Sequence, residues 1–249
     1  MPRYPVAFLA AFLTVAVALA APRAALTYDV GQVKNGATIK VSVKHKGAVP
    51  KNEIISVTED PGVCGQSQES GVYQVDGSKV KNAVVWLEGV DKGVDTIRGS
   101  VNLKIDKCRV EPRVNVGFVG GYFTFVNNDP ILHTVQLKIG LAYQKKVSDR
   151  PLSDGATIYN IALPLKGIGI RKPIKSWHRY SQYTGYVRVK SSTHPWMTGY
   201  AFIFDHPYGG VTDKDGVFKL KDVPPGEYLL KIWHEGFGER ERKVKVGPG

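Results

Sequence analysis

The hydrophobic positions of this chain recur with a period of two. Ile39, Val41 and Val43 alternate with Lys40, Ser42 and Lys44, and Val114, Val116 and Phe118 make a second run. Phe123 and Phe125 alternate with Tyr122, Thr124 and Val126; Val135, Leu137 and Ile139 with Gln136 and Lys138; Phe218 and Leu220 with Lys219 and Lys221. Successive side chains of an extended chain point to opposite faces, so the pattern predicts antiparallel strands with one face on a core. Clusters of Gly, Pro, Asn and Asp separate the runs at the spacing of a β-sandwich. Asp213-Lys214-Asp215-Gly216 reads as a hairpin turn, not as a calcium loop, because no Glu closes a twelve-residue loop. No stretch carries the period of a long amphipathic helix. Between 140 and 182 the alternation lapses, and Pro151, Pro164, Pro173 and several Gly predict a long irregular connection, a kind of loop that often carries function.

The punctuation divides the chain. Residues 1–20 differ from the rest: Arg3 precedes the uncharged apolar run Val6–Ala20, too short to span a bilayer comfortably, which ends in the small-x-small pattern Ala18-Leu19-Ala20. This reads as a secretory signal peptide, the alternative being an uncleaved anchor, and places the protein in the periplasm or outside the cell. No later segment is apolar and long enough to cross a membrane. Residues 21–100 form an N-terminal β region, 101–204 a second unit, and 205–249 a tail of too few strands to stand alone. The tail is expected to complete a sandwich with the N-terminal region.

Charge and cysteine content narrow the partners. The formal net charge is +12, and removing residues 1–20 takes away Arg3 and no acid, leaving +11. Such a surface favours an acidic redox protein or another anionic partner, or simply faces water. The lysines are scattered over strand faces and the chain reads as exported, which argues against nucleic acid. Cys64 and Cys108 are the only cysteines, and in an exported protein their default is one disulfide. Closing that loop is worth roughly 4 kcal/mol in the chain-entropy model, and pairing withholds both sulfurs from any metal.

Two loops carry candidate chemistry. Ser191-Ser192-Thr193-His194-Pro195-Trp196-Met197 lies between the predicted strands Tyr186–Lys190 and Tyr200–Phe204, so His194 and Met197 sit on a short loop at a sheet end. An imidazole and a thioether there could ligate a soft metal, or could belong to a capped sandwich rim. Upstream, Asn127-Asn128-Asp129-Pro130-Ile131-Leu132-His133 places a second histidine at a strand start after an Asn/Asp turn. His206, His234 and Glu235 are a weaker candidate for a second site. No phosphate loop, nucleophile elbow, zinc-protease helix or paired-carboxylate arrangement is present, so the chain is not read as an enzyme.

The segment Phe123–Val135, with Asn127, Asp129 and His133, resembles the first ligand loop of cupredoxins, and His194-Pro195-Trp196-Met197 resembles their short amicyanin-type ligand loop. The resemblance covers about residues 101–204. More widely, Cys64, Cys108, Asp205-His206-Pro207-Tyr208, the Asp213–Gly216 turn and Trp233-His234-Glu235 look like exported bacterial proteins that join a plastocyanin-like part to carboxypeptidase regulatory-like strands. The resemblance implies a Greek-key sandwich with copper held by His133, His194 and Met197. It also places the copper-ligating cysteine at position 191, where this chain has Ser191. A serine hydroxyl stays protonated near neutral pH and is a hard, poor ligand, so the remaining donors favour Cu(I) and do not suit fast blue-copper electron transfer.

The sequence therefore predicts an all-β protein: a cupredoxin-like Greek-key sandwich plus a second β-sandwich made from the N-terminal block and the tail. The first functional reading is an exported, non-blue copper-binding carrier, buffer or slow redox partner. The alternative is a metal-free structural or interaction module that uses a basic surface, and the third is an electron carrier.

Overall fold

The computed structural model describes residues 28–96, 99–140, 156–174 and 186–249. The leader expected at residues 1–20 lies outside them. Among the described residues the chain is all-β apart from one four-residue helix, Pro61–Cys64; no helix there is long and apolar enough to cross a membrane.

Two sheets make a sandwich. One holds four strands in the spatial order Arg109–Glu111, Ser100–Asp106, Tyr122–Asn127 and Gly169–Pro173. The other holds five, in the order Val114–Phe118, Thr198–Phe204, Tyr186–Lys190, His133–Gly140 and Thr157–Leu163. Each sheet contains one parallel pair, Ser100–Asp106 beside Tyr122–Asn127 and Val114–Phe118 beside Thr198–Phe204. The alternation read from the sequence sets the facing surfaces. Val101, Leu103 and Ile105 are buried while the residues between them are exposed. They meet Phe123, Phe125, Val135, Leu137, Val187 and Val189 in one core.

The N-terminal strands and the tail pair with each other. A four-stranded sheet runs Gly209–Val211, Val84–Glu88, Gly226–His234 and Gly238–Val246, and Ala37–Ser42 pairs antiparallel with Val217–Val223. Val41, Val85, Leu87, Leu220, Val223 and Leu230 fill the core between them. Gly210 must be glycine, because the Phe218 ring lies where a Cβ would stand. Phe218 itself is only partly buried, whereas Leu220 is fully buried.

The two sandwiches share a further layer. Val84, Val114, Phe202 and Trp233 are buried together, with Trp86, Tyr186, Tyr200 and Phe204 packed against them. Phe202 therefore faces this layer while its neighbours Ala201 and Ile203 face the first core. The unbroken apolar run Val84–Leu87 has the same cause: a strand covered on both faces loses its polar alternation.

The stretch 140–182, expected from the sequence to be an irregular connection, contains two strands, Thr157–Leu163 and Gly169–Pro173. Both are edge strands. Thr157–Leu163 buries only Ile161 and Leu163, and Gly169–Pro173 buries no residue fully, so neither shows the strong alternation of a central strand. Pro173 is tolerated because an edge needs no second row of hydrogen bonds. Residues 141–155 and 175–182 of that stretch lie outside the described residues. The Cys64–Cys108 disulfide predicted from cysteine content is present, with the Cα atoms 5.2 Å apart.

Candidate metal centre

His133 is delivered by a side-chain-built turn. The Asn127 amide donates to the carbonyls of Ile131 and Leu163, and its oxygen accepts the Asp129 N–H at 2.8 Å. An Asn side chain standing in for backbone in this way is the usual reason for Asn at such a turn. The Asp129 carboxylate accepts the backbone N–H groups of Lys107 (2.7 Å) and Cys108 (2.8 Å) and faces His133 Nε2 at 2.9 Å. Lys107 and Cys108 both have left-handed φ, at 49° and 57°, so the carboxylate is holding a tight hairpin turn as well as the ring.

His194 sits in the turn between Tyr186–Lys190 and Thr198–Phe204. The Met197 N–H donates to the His194 carbonyl at 2.9 Å, closing the turn across Pro195 and Trp196. The His194 N–H donates to Ser191 Oγ at 3.1 Å, a capping role suited to a hydroxyl. Ser191 also shares hydrogen bonds with Thr134 and Thr193, and it is the Thr193 hydroxyl that reaches His194 Nδ1, at 3.1 Å. Met197 is buried in the same cluster as the disulfide.

The two rings meet. His133 Nδ1 and His194 Nδ1 are 3.1 Å apart, and both residues are fully buried. Each ring is anchored at its other nitrogen: His133 Nε2 on Asp129, and His194 Nε2 on Asp60 Oδ2 at 2.9 Å. A carboxylate only accepts, so both Nε2 atoms carry hydrogen. A neutral imidazole has one N–H, so both Nδ1 atoms present lone pairs toward each other. Across that gap they repel unless a cation or a proton lies between them; the Thr193 hydroxyl can donate to one of the two. Burial holds the His133 pKa below the ordinary histidine range; its hydrogen bond to Asp129 opposes this, and the neighbouring His194 adds to it. A proton on His133 is thereby disfavoured.

The donor set fits a metal ion such as copper. Two nitrogens 3.1 Å apart match the span of two neighbouring ligands on one ion whose bonds to nitrogen are about 2.0 Å. A histidine that ligates through one nitrogen and donates the other N–H to a carboxylate is the usual outer-shell arrangement of metal sites. The disulfide lies at the same pole. Both cysteine sulfurs and a nitrogen of His194 are mutually within 4.8 Å, and so are the Cys108 sulfur, a carboxylate oxygen of Asp129 and a nitrogen of His133.

The structure does not bring His206, His234 and Glu235 into any such group among the described residues. The Glu235 carboxylate is taken by Arg113 through two bonds of 2.7 Å and by the Tyr200 hydroxyl at 2.9 Å. His206 stacks on Phe204 and His234 on Phe237, each accepting a backbone N–H at Nδ1.

Asp60, Thr193 and the sulfur pair were not legible as parts of the pole. Asp60 stands 134 positions from the histidine it touches, inside a Pro/Gly turn that carries no signal for a partner. The role of Asp129 beyond its turn was likewise hidden, since the N–H groups it accepts come from another hairpin.

No family model and no curated protein matches this chain. Several solved structures are similar to part of it. A Cu-containing nitrite reductase (NirK) from Thermus scotoductus has 16% identity and a TM-score of 0.29, the match covering 53% of this chain and 25% of that one. Amicyanin from Paracoccus versutus has 15% identity and a TM-score of 0.31, over 42% of this chain and 81% of amicyanin. A purple cupredoxin from Nitrosopumilus maritimus has 15% identity and a TM-score of 0.26, over 41% of this chain and 98% of the other. The chain thus spans about a quarter of the length of the nitrite reductase it matches.

Proposed function

We propose that the protein is an exported, cupredoxin-like copper-binding protein that works as a carrier, buffer or slow redox partner without a blue centre. One observation carries the reading: two buried histidines face each other through Nδ1 at 3.1 Å while carboxylates hold both Nε2 atoms. His133 and His194 would hold the ion, with the Met197 thioether as a soft third donor. Copper bound there would supply a one-electron redox centre.

The residues around it set the preference. Imidazole and thioether donors are neutral, and a thioether is soft, which favours Cu(I) over Cu(II). Ser191 offers no thiolate, and its oxygen already accepts the His194 N–H. Asp129 and Asp60 fix both tautomers, so little reorganisation is needed when the ion enters. A net charge of +11 on the mature chain, counted from +12 less Arg3, favours an acidic delivery or redox partner. The disulfide is in keeping with periplasmic or extracellular placement.

Titration of the oxidised protein with Cu(I) against a competing chromophoric chelator tests this. One equivalent should bind, His133→Ala and His194→Ala should each abolish that binding, and Cu(II) should give no intense visible band. Ser191→Cys should add such a band, by supplying a thiolate three residues before His194. Absence of copper uptake by the folded oxidised protein overturns the reading.

A further inference from the structure

The disulfide is built into the scaffold of the histidine pair. Cys108 lies in the hairpin turn whose N–H groups are gripped by Asp129, the anchor of His133. Cys64 ends the short helix that follows Asp60, the anchor of His194; the N–H groups of Val63 and Cys64 both donate to the Asp60 carbonyl at 2.9 Å. The covalent bond therefore closes a ring that runs Cys64, Asp60, His194, His133, Asp129, Cys108. Both cysteines are buried, at 4% and 0% exposure, with the sulfur of Cys108 common to the two donor groups that contain the histidines.

We propose that this disulfide gates a second ligand set: once reduced, the thiolates of Cys64 and Cys108 join His133 and His194 around one soft d10 ion, Cu(I) or Zn²⁺. The inference rests on the reading of His133 and His194 as metal ligands. A four-coordinate N2S2 site is a common structural site for such ions. Bonds of about 2.0 Å to nitrogen and 2.3 Å to sulfur put neighbouring ligand atoms about 3.3–3.8 Å apart in a tetrahedral site. The Cys64 and Cys108 sulfurs lie within 4.8 Å of a His194 nitrogen, and the Cys108 sulfur lies within 4.8 Å of a His133 nitrogen. Breaking the S–S bond frees both cysteine side chains to rotate, so that these distances close by about an ångström and Cys64 turns toward His133. Two thiolates would neutralise the charge of a divalent ion, and they supply from residues 64 and 108 the anionic sulfur that position 191 lacks.

The redox step balances through thiol–disulfide exchange with a dithiol donor. A donor thiolate attacks one protein sulfur, the S–S bond breaks, and a mixed disulfide forms. The donor's second thiol then displaces the protein sulfur, leaving the donor as a disulfide and Cys64 and Cys108 as thiols, two electrons having passed to the protein. On metal binding each thiol releases its proton to solvent. The Cys64 side offers the approach, since Glu59 to Gly62 just before it are exposed. In the oxidised state only the imidazoles and thioether are open to the ion; in the reduced state the pole holds it through two further anionic donors.

The test compares the full exported chain in oxidised form and after reduction by a phosphine, each titrated with Zn²⁺ and with Cu(I) against chromophoric competitors. The reduced protein should bind one ion at least about a hundredfold more tightly than the oxidised protein, because thiolates replace neutral donors. X-ray absorption on the zinc form should show sulfur scatterers near about 2.3 Å together with imidazole. In Cys64→Ser/Cys108→Ser, affinity should not change with reductant and should stay near that of the oxidised wild type. Copper binding by the oxidised protein with no gain on reduction overturns the gate and leaves the copper reading standing. Uptake in neither state overturns both. Tight binding by the reduced protein that survives His133→Ala/His194→Ala overturns the four-ligand site. So does a reduced protein that stays unfolded, by circular dichroism, even with the metal added.

Discussion

Asp129 and Asp60 hold the two rings from opposite degrees of burial. The Asp129 carboxylate is nearly inaccessible and serves His133 and two backbone N–H groups at once. The Asp60 side chain is 48% exposed and serves His194 alone among the described side chains. Removing an acceptor from buried donors costs their full desolvation, so Asp129→Ala should destabilise the fold by about 3 kcal/mol. Asp60 has a left-handed φ of 51°, which Asn tolerates, so Asp60→Asn removes the charge without straining the turn. Its half-exposed hydrogen bond to the His194 ring should be worth about 1 kcal/mol or less. Both variants should lower copper affinity, by about 10–100-fold each, since each loosens the ring that the carboxylate orients. Urea denaturation and Cu(I) competition separate the two effects. Equal loss of stability in both variants would contradict the part assigned to the burial of Asp129.

At the level of strands and turns, strands with a well-buried face were legible and the two sparsely buried edge strands Thr157–Leu163 and Gly169–Pro173 were not. Phe123 and Phe125, or Val135 and Leu137, alternate cleanly because one face meets a core and the other does not. Thr157–Leu163 and Gly169–Pro173 each have one sheet neighbour and little burial, so their composition resembles a connection. The same division holds at the pole. His133 and His194 were visible because each sits on a loop with its own local chemistry, whereas Asp60 and the sulfurs reach the pole from the short Pro61–Cys64 helix and a distant hairpin. The tail was legible through Phe218 and Leu220, of which Leu220, opposite Ile39, enters the shared core and is 1% exposed. Leu220→Ala should therefore cost about 2–5 kcal/mol. Because Trp86 and Trp233 tie that sandwich to the first, the loss should shift the whole tryptophan-monitored unfolding transition. An early partial transition, with the main one unmoved, would mean that the tail unfolds by itself.

Across the whole molecule the layers bury histidines at widely separated points: His133 at the pole of the first sandwich, His206 against Phe204 and Tyr208, and His234 against Phe237. For all three, desolvation by burial is the leading cause of a pKa lowered from the ordinary value, and nearby acids, Asp129, Asp205 and Glu235 respectively, oppose it. The sign of the linkage follows. Above the unfolded pKa of about 6.5 both folded and unfolded chains hold these rings neutral, and the stability is fully present. As pH falls below that value the unfolded chain takes up protons that the fold refuses, so stability declines until the folded pKa values are reached. Because the three rings are spread over both sandwiches, acid should weaken the assembly as a unit. The metal-free protein should show a urea midpoint that is flat above about pH 7 and falls steadily below about pH 6.5, with net proton uptake on unfolding near pH 6. Ring-proton resonances of the three residues should titrate below the ordinary histidine value in the folded protein. Copper should steepen the fall, since an ion bound at His133 Nδ1 requires that nitrogen unprotonated. A midpoint that is constant from pH 7.5 to about pH 5, or rings that titrate in the folded protein at the ordinary value, would contradict the burial of these histidines as neutral groups.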